Sequence, residues 1–281
     1  NSLRFEATLQ LPKGNSYGSA RVSRVWQLKL QLAGQTSRSQ DVLALAAAFG
    51  RPLGSGWAAE GRADLRLGWQ GTVRPWNVVP SGTLDLQGVE LRTGIMDQPV
   101  SLRSARIELK PDGPRIILTD ARAFGAEWKG TVFRKAAAAD ANPEWEFDLS
   151  ASRLDVAQLN RWLGARPRPG FLQRISPFGQ PDRGASDRDA ALDLLRARGR
   201  LLIEEFVLAP LSVRRLQAQV EVAGRKLTIR QAQGEFYRGS LNGSFVAELT
   251  GQPFYRFEGR FSQVNLAQLA DETATLKGRF A

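Results

Sequence analysis

Cysteine and histidine are both missing from the 281-residue chain. Their absence removes disulfides, thiolate nucleophiles, imidazole general bases and nearly every zinc or iron site. It fits an oxidising compartment without requiring one. Long apolar runs are missing as well: nothing approaches the roughly eighteen consecutive apolar residues of a spanning helix, and the opening NSLRFEATLQL shows neither an initiator Met nor a signal-peptide pattern. Both ends read as cuts from something longer, since TATLKGRFA from Thr273 stops in the middle of an alternating pattern. Acidic residues are outnumbered, and the net charge of +11 implies attraction to an anionic partner such as nucleic acid or lipid headgroups. What is present, 42% hydrophobic and 24% charged residues, is the composition of a folded globular chain, long enough for one large β domain or two ordinary ones.

Most of the chain alternates apolar and polar residues with period two, as strands with one buried and one wet face do. Trp26, Leu28, Leu30 and Leu32 interleave with Gln27, Lys29 and Gln31, and Ala105, Ile107 and Leu109 with Arg106 and Glu108. The same phase recurs at Trp145, Phe147 and Leu149, at Leu216, Ala218, Val220 and Val222, and at Tyr255, Phe257 and Phe261. Turn formers punctuate these runs at Gly14-Asn15, Pro111-Asp112-Gly113, Gly224 and Gly251-Gln252-Pro253.

One long unit occurs nearly twice. The first copy runs from GTLDLQGVEL at Gly82 through RIILTDARAFGAEWKGTVF to PEWEFDLSASRLDVAQL, ending near Leu159. The second runs from GRLLIEEFVL at Gly199 through KLTIRQAQGEFYRGSLNGSFV to PFYRFEGRFSQVNLAQL, ending at Leu269. DVLAL at Asp41, following WQLKLQLAG, reads as part of a third copy. In each tail motif an Asp or Asn precedes an apolar stretch, which is N-cap chemistry and predicts short helices over Asp41 to Phe49, Asp155 to Leu163 and Asn265 to Ala270.

The expected fold is therefore mainly β: a curled antiparallel sheet forming a groove or an open sandwich or barrel from tandem repeats, with a few short α-helices. The expected units are a partial N-terminal repeat over 1–81, a full repeat over 82–165, a basic Pro-rich linker with a short helix over 166–198, and a second repeat, cut at its end, over 199–281. The linker RPRPGFLQRISPFGQPDRGAS has no period, and eight arginines and four aspartates lie between Arg166 and Arg200. Arg166, Arg168 and Arg174 are candidates for contact with an anionic headgroup, against the plainer reading of a solvated linker.

No catalytic constellation is legible. Glu204 and Glu205 are neighbours on a strand and point to opposite faces, and EF-hand, HExxH, GxSxG and GxGxxG patterns are absent. The chain is expected to be non-enzymatic, with no metal and no cofactor. Nucleic acid is disfavoured, because the aromatics share a phase with Leu and Val, whereas Arg103, Arg106, Arg214 and Arg256 occupy mostly the opposite phase. The stretch YRGSLNGSF from Tyr237 raises a separate question. Its glycines suggest a phosphate loop or an Asn-Gly hairpin, but alignment with AEWKGTVF from Ala126 predicts a turn near Arg238-Gly239 and strand from Ser240, with Gly243 in the place of Gly130.

The blocks GTLDLQGVELRTG, RARGRLLIEEFVLAPLSVRRLQAQVEV and GEFYRGSLNGSFVAEL followed by RFEGRFSQVNLAQL resemble the C-terminal region of the AsmA-like family of bacterial envelope proteins, similar to TamB- and YhdP-type lipid-transport proteins. The resemblance covers about Gly82 to Ala281. It implies a β-rich groove in the periplasm, anchored to the inner membrane through a segment not in this chain. It also implies phospholipid or another lipid as ligand, the bacterial membrane and outer-membrane proteins as partners, and a part in outer-membrane lipid homeostasis. Under that reading Leu28, Leu30, Ile107, Leu109, Phe147, Leu149, Val220, Val222, Phe257 and Phe261 line the groove; the alternative is that they pack as a closed core. A second function, a scaffold or assembly factor receiving client β-strands for outer-membrane or secreted protein biogenesis, stays open.

Overall fold

The computed structural model describes residues 2–10, 27–36, 57–72, 77–92, 98–135, 144–155, 157–158, 193, 195–208, 211–248, 254–267 and 270. Among the described residues, thirteen strands make one sheet in sequence order. They are β1 (Ser2–Gln10), β2 (Gln27–Thr36), β3 (Ala58–Thr72), β4 (Asn77–Arg92), β5 (Val100–Lys110), β6 (Gly113–Ala123), β7 (Ala126–Arg134), β8 (Glu144–Asp155), β9 (Arg196–Leu208), β10 (Leu211–Ala223), β11 (Lys226–Phe236), β12 (Gly239–Glu248) and β13 (Phe254–Ser262). The sheet is mainly β, curled and open, with β1 and β13 as its edges. Curl follows from the right-handed twist of each pair and from bulges where the register shifts, at Glu60/Arg62 on β3, Leu118/Ala121 on β6 and Ile229/Ala232 on β11.

The pairing departs from the antiparallel expectation at one joint. Neighbours pair antiparallel throughout except β8 and β9, which run parallel from Glu144↔Arg196 to Asp155↔Val207. A parallel neighbour requires a long return connection, and residues 156–195 supply it. The five strands immediately before the joint, β4 to β8, match the five after it, β9 to β13. The register makes them equivalent: Val132↔Phe147 corresponds to Phe245↔Phe257, and Ile107↔Ile116 to Val220↔Ile229. β9 begins at Arg196, inside the stretch that the sequence assigns to the linker. At the N-terminal side, β2 and β3 are antiparallel, so the DVLAL region does not repeat the parallel return.

Asn242 and Gly243 lie within β12, paired with Gln233 and Ala232 on one side and Arg260 and Gly259 on the other. The turn falls on Tyr237 and Arg238, one residue before the expected position. Both have positive φ, 45° and 63°, the primed-turn geometry that matches strand twist. Asp155 Oδ1 accepts the Ala157 N–H at 2.8 Å and Asn265 Oδ1 the Ala267 N–H at 3.1 Å, so both residues act as the N-caps read from sequence. Only the first residues after these caps are described; Asp41 to Phe49 lies outside the described residues.

One face of the sheet holds the core. Leu32, Ala63, Leu65, Leu84, Leu86, Val89, Leu102, Ala105 and Ala121 form a continuous buried cluster across β2 to β6. Smaller clusters continue it around Ala151 and Ile203, around Val220 and Ala232, and around Phe236 and Leu241.

Candidate ligand-binding face

Strand pairing strings the apolar phase into a single file. It runs Gly34, Leu65, Leu84, Ile107, Ile116, Val132, Phe147, Gly199, Val220, Ile229, Phe245, Phe257, one residue from each strand β2 to β13. Each step is a directly opposed pair, and no step brings in a polar side chain. With strands about 4.8 Å apart, the file measures roughly 50 Å along the sheet.

The ten groove candidates all lie on this face. Ile107, Phe147, Val220 and Phe257 belong to the file itself. Leu109 is opposite Gly82 and Pro114, Leu149 opposite Gly130 and Leu201, Val222 opposite Ala197 and Leu227, and Phe261 opposite Leu241. Leu28 and Leu30 extend it on β2, opposite Gly71 and Trp69. Sequence reading passed over Leu65, Leu84, Ile116, Val132, Ile229 and Phe245, although their period-two phase marked them. Gly34 and Gly199 gave no hydrophobic signal.

Exposure changes along the face. Ala63 and Leu65 on β3 are 0% and 2% exposed, whereas Phe257 and Phe261 on β13 are 52% and 47% exposed. Between these ends Ile107, Phe147, Leu149 and Val222 are half-buried. The face thus carries buried residues on every strand from β2 to β12, the groove candidate Val220 among them, and is open at the edge strand β13. Phe236, Phe257 and Phe261 cluster at the open end, with ring centroids 4.9 Å apart for Phe236–Phe261 and 6.3 Å for Phe257–Phe261.

The opposite face is an array of ion pairs. Arg106 Nε reaches Asp85 Oδ1 at 2.5 Å, Arg122 reaches Glu127 at 2.5 Å, and Lys226 reaches Glu248 at 2.9 Å. At the parallel joint Arg198 pairs with Glu146 at 2.7 Å, Arg200 with Asp148 at 2.5 Å and Arg153 with Glu205 at 3.0 Å. Hydrogen bonds from Lys135 and then Arg198 hold the Glu146 carboxyl below the usual carboxylate range, and Glu146 in turn raises Arg198. Exposed pairs of this kind contribute little each, because solvent screens them. Their larger effect is on register, because a one-residue slip would place these charges on the apolar face.

Two depressions of about 540 and 400 Å³ lie at the joint, lined largely by this charged face, including Glu146, Arg198, Arg200 and Gln219. Arg198 and Arg200 are already engaged by acids, so these hollows are not bare cationic pockets. Arg166, Arg168 and Arg174 lie outside the described residues. Among the described residues no helix is long and apolar enough to cross a membrane.

In comparison with known proteins, the chain matches no family model, no curated protein and no solved structure.

Proposed function

We propose that the chain is a non-enzymatic segment of a bacterial envelope protein that binds or guides phospholipid acyl chains along its apolar face, between the inner and outer membranes. The observation that carries the reading is the unbroken file from Leu65 to Phe257, apolar at every step and glycine where it is not. Each methylene left in water costs about 0.8 kcal/mol, so a sixteen-carbon chain needs on the order of 12 kcal/mol of shielding spread along its length. Separate pockets do not supply that, and a continuous trough does. One leaflet of a bilayer core is roughly 15 Å thick, so a face of about 50 Å is longer than one extended acyl chain. Phe257 and Phe261 leave the face exposed on its last strand, β13. The ion-paired opposite face stays in water.

This reading agrees with the resemblance of the GEFYRGSLNGSFVAEL and RFEGRFSQVNLAQL blocks to AsmA-like proteins, and with it goes a periplasmic location. Native mass spectrometry of the purified chain tests it. Copurified phospholipid, lost when Phe147 and Val222 are both changed to Asp, is the expected result. A lipid-free spectrum together with no crosslink to lipid from probes at Phe147 or Val222 overturns it.

A further inference from the structure

The outer edge of β13 carries a self-complementary pattern. Phe257-Glu258-Gly259-Arg260-Phe261 reads alike in both directions about Gly259, with acid and base exchanging places. All five residues are exposed. On its inner side β13 matches β12 over nine residue pairs without a register shift. On its outer side, among the described residues, nothing pairs with it. The equivalent strand of the first unit, β8, is paired on both sides, by β7 and β9. Free edges are ordinarily blunted by proline, a bulge or charged side chains. The stretch from Phe254 to Ser262 has neither proline nor bulge, and its charges at Arg256, Glu258 and Arg260 are of both signs.

We propose that β13 pairs antiparallel with β13 of a second copy, about a two-fold axis perpendicular to the sheet and midway between the two copies of Gly259. Rotation about that axis keeps both apolar faces on the same side. It sets Phe257 against Phe261 of the partner subunit twice, and Glu258 against Arg260 of the partner subunit twice, as an isologous interface requires. Opposite charges and aromatic residues directly across an antiparallel pair both stabilise it. Gly259 at the axis has no side chain of its own, and the Phe257 ring already covers that position: a Cβ there would fall 2.5 Å from Phe257 Cζ. Moving the axis one residue, to Glu258, would oppose Glu258 with itself and Arg256 with Arg260. The pairing makes the two apolar faces one face spanning both copies, with the two files offset by the four residues from Phe257 to Phe261. The proposal rests on the edge pattern alone and is independent of the lipid reading.

Sedimentation velocity of the full chain across a concentration series tests it, with Glu258→Arg, Arg260→Glu and the double exchange. The expected result is a reversible dimer whose dissociation constant rises about tenfold or more in either single variant and returns toward the original value in the double variant. A monomer at every concentration overturns the proposal. So does a dimer indifferent to both single changes, or one that the double exchange fails to restore. Both residues are exposed, and an unchanged thermal midpoint in each variant separates loss of pairing from loss of fold.

Discussion

Gly199 on β9 stands opposite Phe147 on β8 with no space for a side chain. A Cβ at Gly199 would fall 2.6 Å from Phe147 Cδ2, and the Phe147 carbonyl oxygen is closer still. The parallel joint between the two five-strand units therefore depends on glycine at this step of the file. Gly199→Ala is expected to lower unfolding free energy by about 1–3 kcal/mol, because the strands must part or the ring must move. Leu202→Ala, on the charged face of the same strand, is expected to cost less than about 0.5 kcal/mol. Urea unfolding of both variants checks this, and equal losses would mean that the joint has slack.

The β11–β12 turn places two non-glycine residues, Tyr237 and Arg238, at positive φ. Its counterpart between β6 and β7 uses Phe124 and Gly125. Arg238 is exposed, so Arg238→Gly relieves the backbone without removing buried contacts. Thermal unfolding is expected to show a gain of roughly 0.5–1 kcal/mol. A loss of stability would show that the Arg238 side chain has a role of its own.

Asp64 on β3 lies directly opposite Asp85 on β4, and its Oδ1 is buried without a hydrogen-bond partner. Asp85 is engaged by Arg106; Asp64 is the member of the pair left with an unsatisfied oxygen. Like charges across a ladder destabilise it, so Asp64→Asn is expected to raise stability by about 0.2–1 kcal/mol. Chemical denaturation gives the sign, and a clear loss would contradict the assignment.

With no histidine and no cysteine, no side chain of ordinary pKa titrates between about pH 6 and 8, and stability is expected to be flat there. Glu146, Glu127, Glu108 and Asp193 are all held below the usual carboxylate range, by hydrogen bonds from Lys135, Arg122, Lys110 and Arg225 respectively. A depressed carboxylate stabilises the folded state at pH above its unfolded value. That contribution is lost as pH falls through the folded value. Thermal midpoints are therefore expected to drop below about pH 4, and Glu146→Gln to shrink the drop. A midpoint that falls mainly between pH 6 and 8 would contradict this account.

Much of the fold is legible from local pattern. The period-two phase that marks Ile107, Phe147 and Val222 is the phase that strand pairing aligns, and the match of Gly243 with Gly130 places Asn242 inside a strand. Asp155 and Asn265 announce their caps by position alone. The parallel joint is not legible, because pairing between strands separated by residues 156–195 leaves no trace in either one. The start of β9 is obscured for a related reason: Arg196-Ala197-Arg198-Gly199-Arg200 alternates charge with small residues and looks like linker, although Ala197 and Gly199 lie on the apolar face. The bulges at Arg214/Gln217 and Ile229/Ala232 likewise depend on partners and not on local composition. The exposure of Phe257, against the burial of Ala63, follows from the edge position of β13, which alternation does not encode.

The most direct test of the lipid reading compares the two faces. Photo-reactive residues are placed singly at Ile107, Phe147 and Val222, and at their outward neighbours Glu108, Asp148 and Glu221, and the chain is irradiated with vesicles of phosphatidylethanolamine and phosphatidylglycerol. The account predicts lipid adducts at the three inward positions and at none of the outward ones. Adducts spread equally over both faces, or absent from the inward positions, would contradict it.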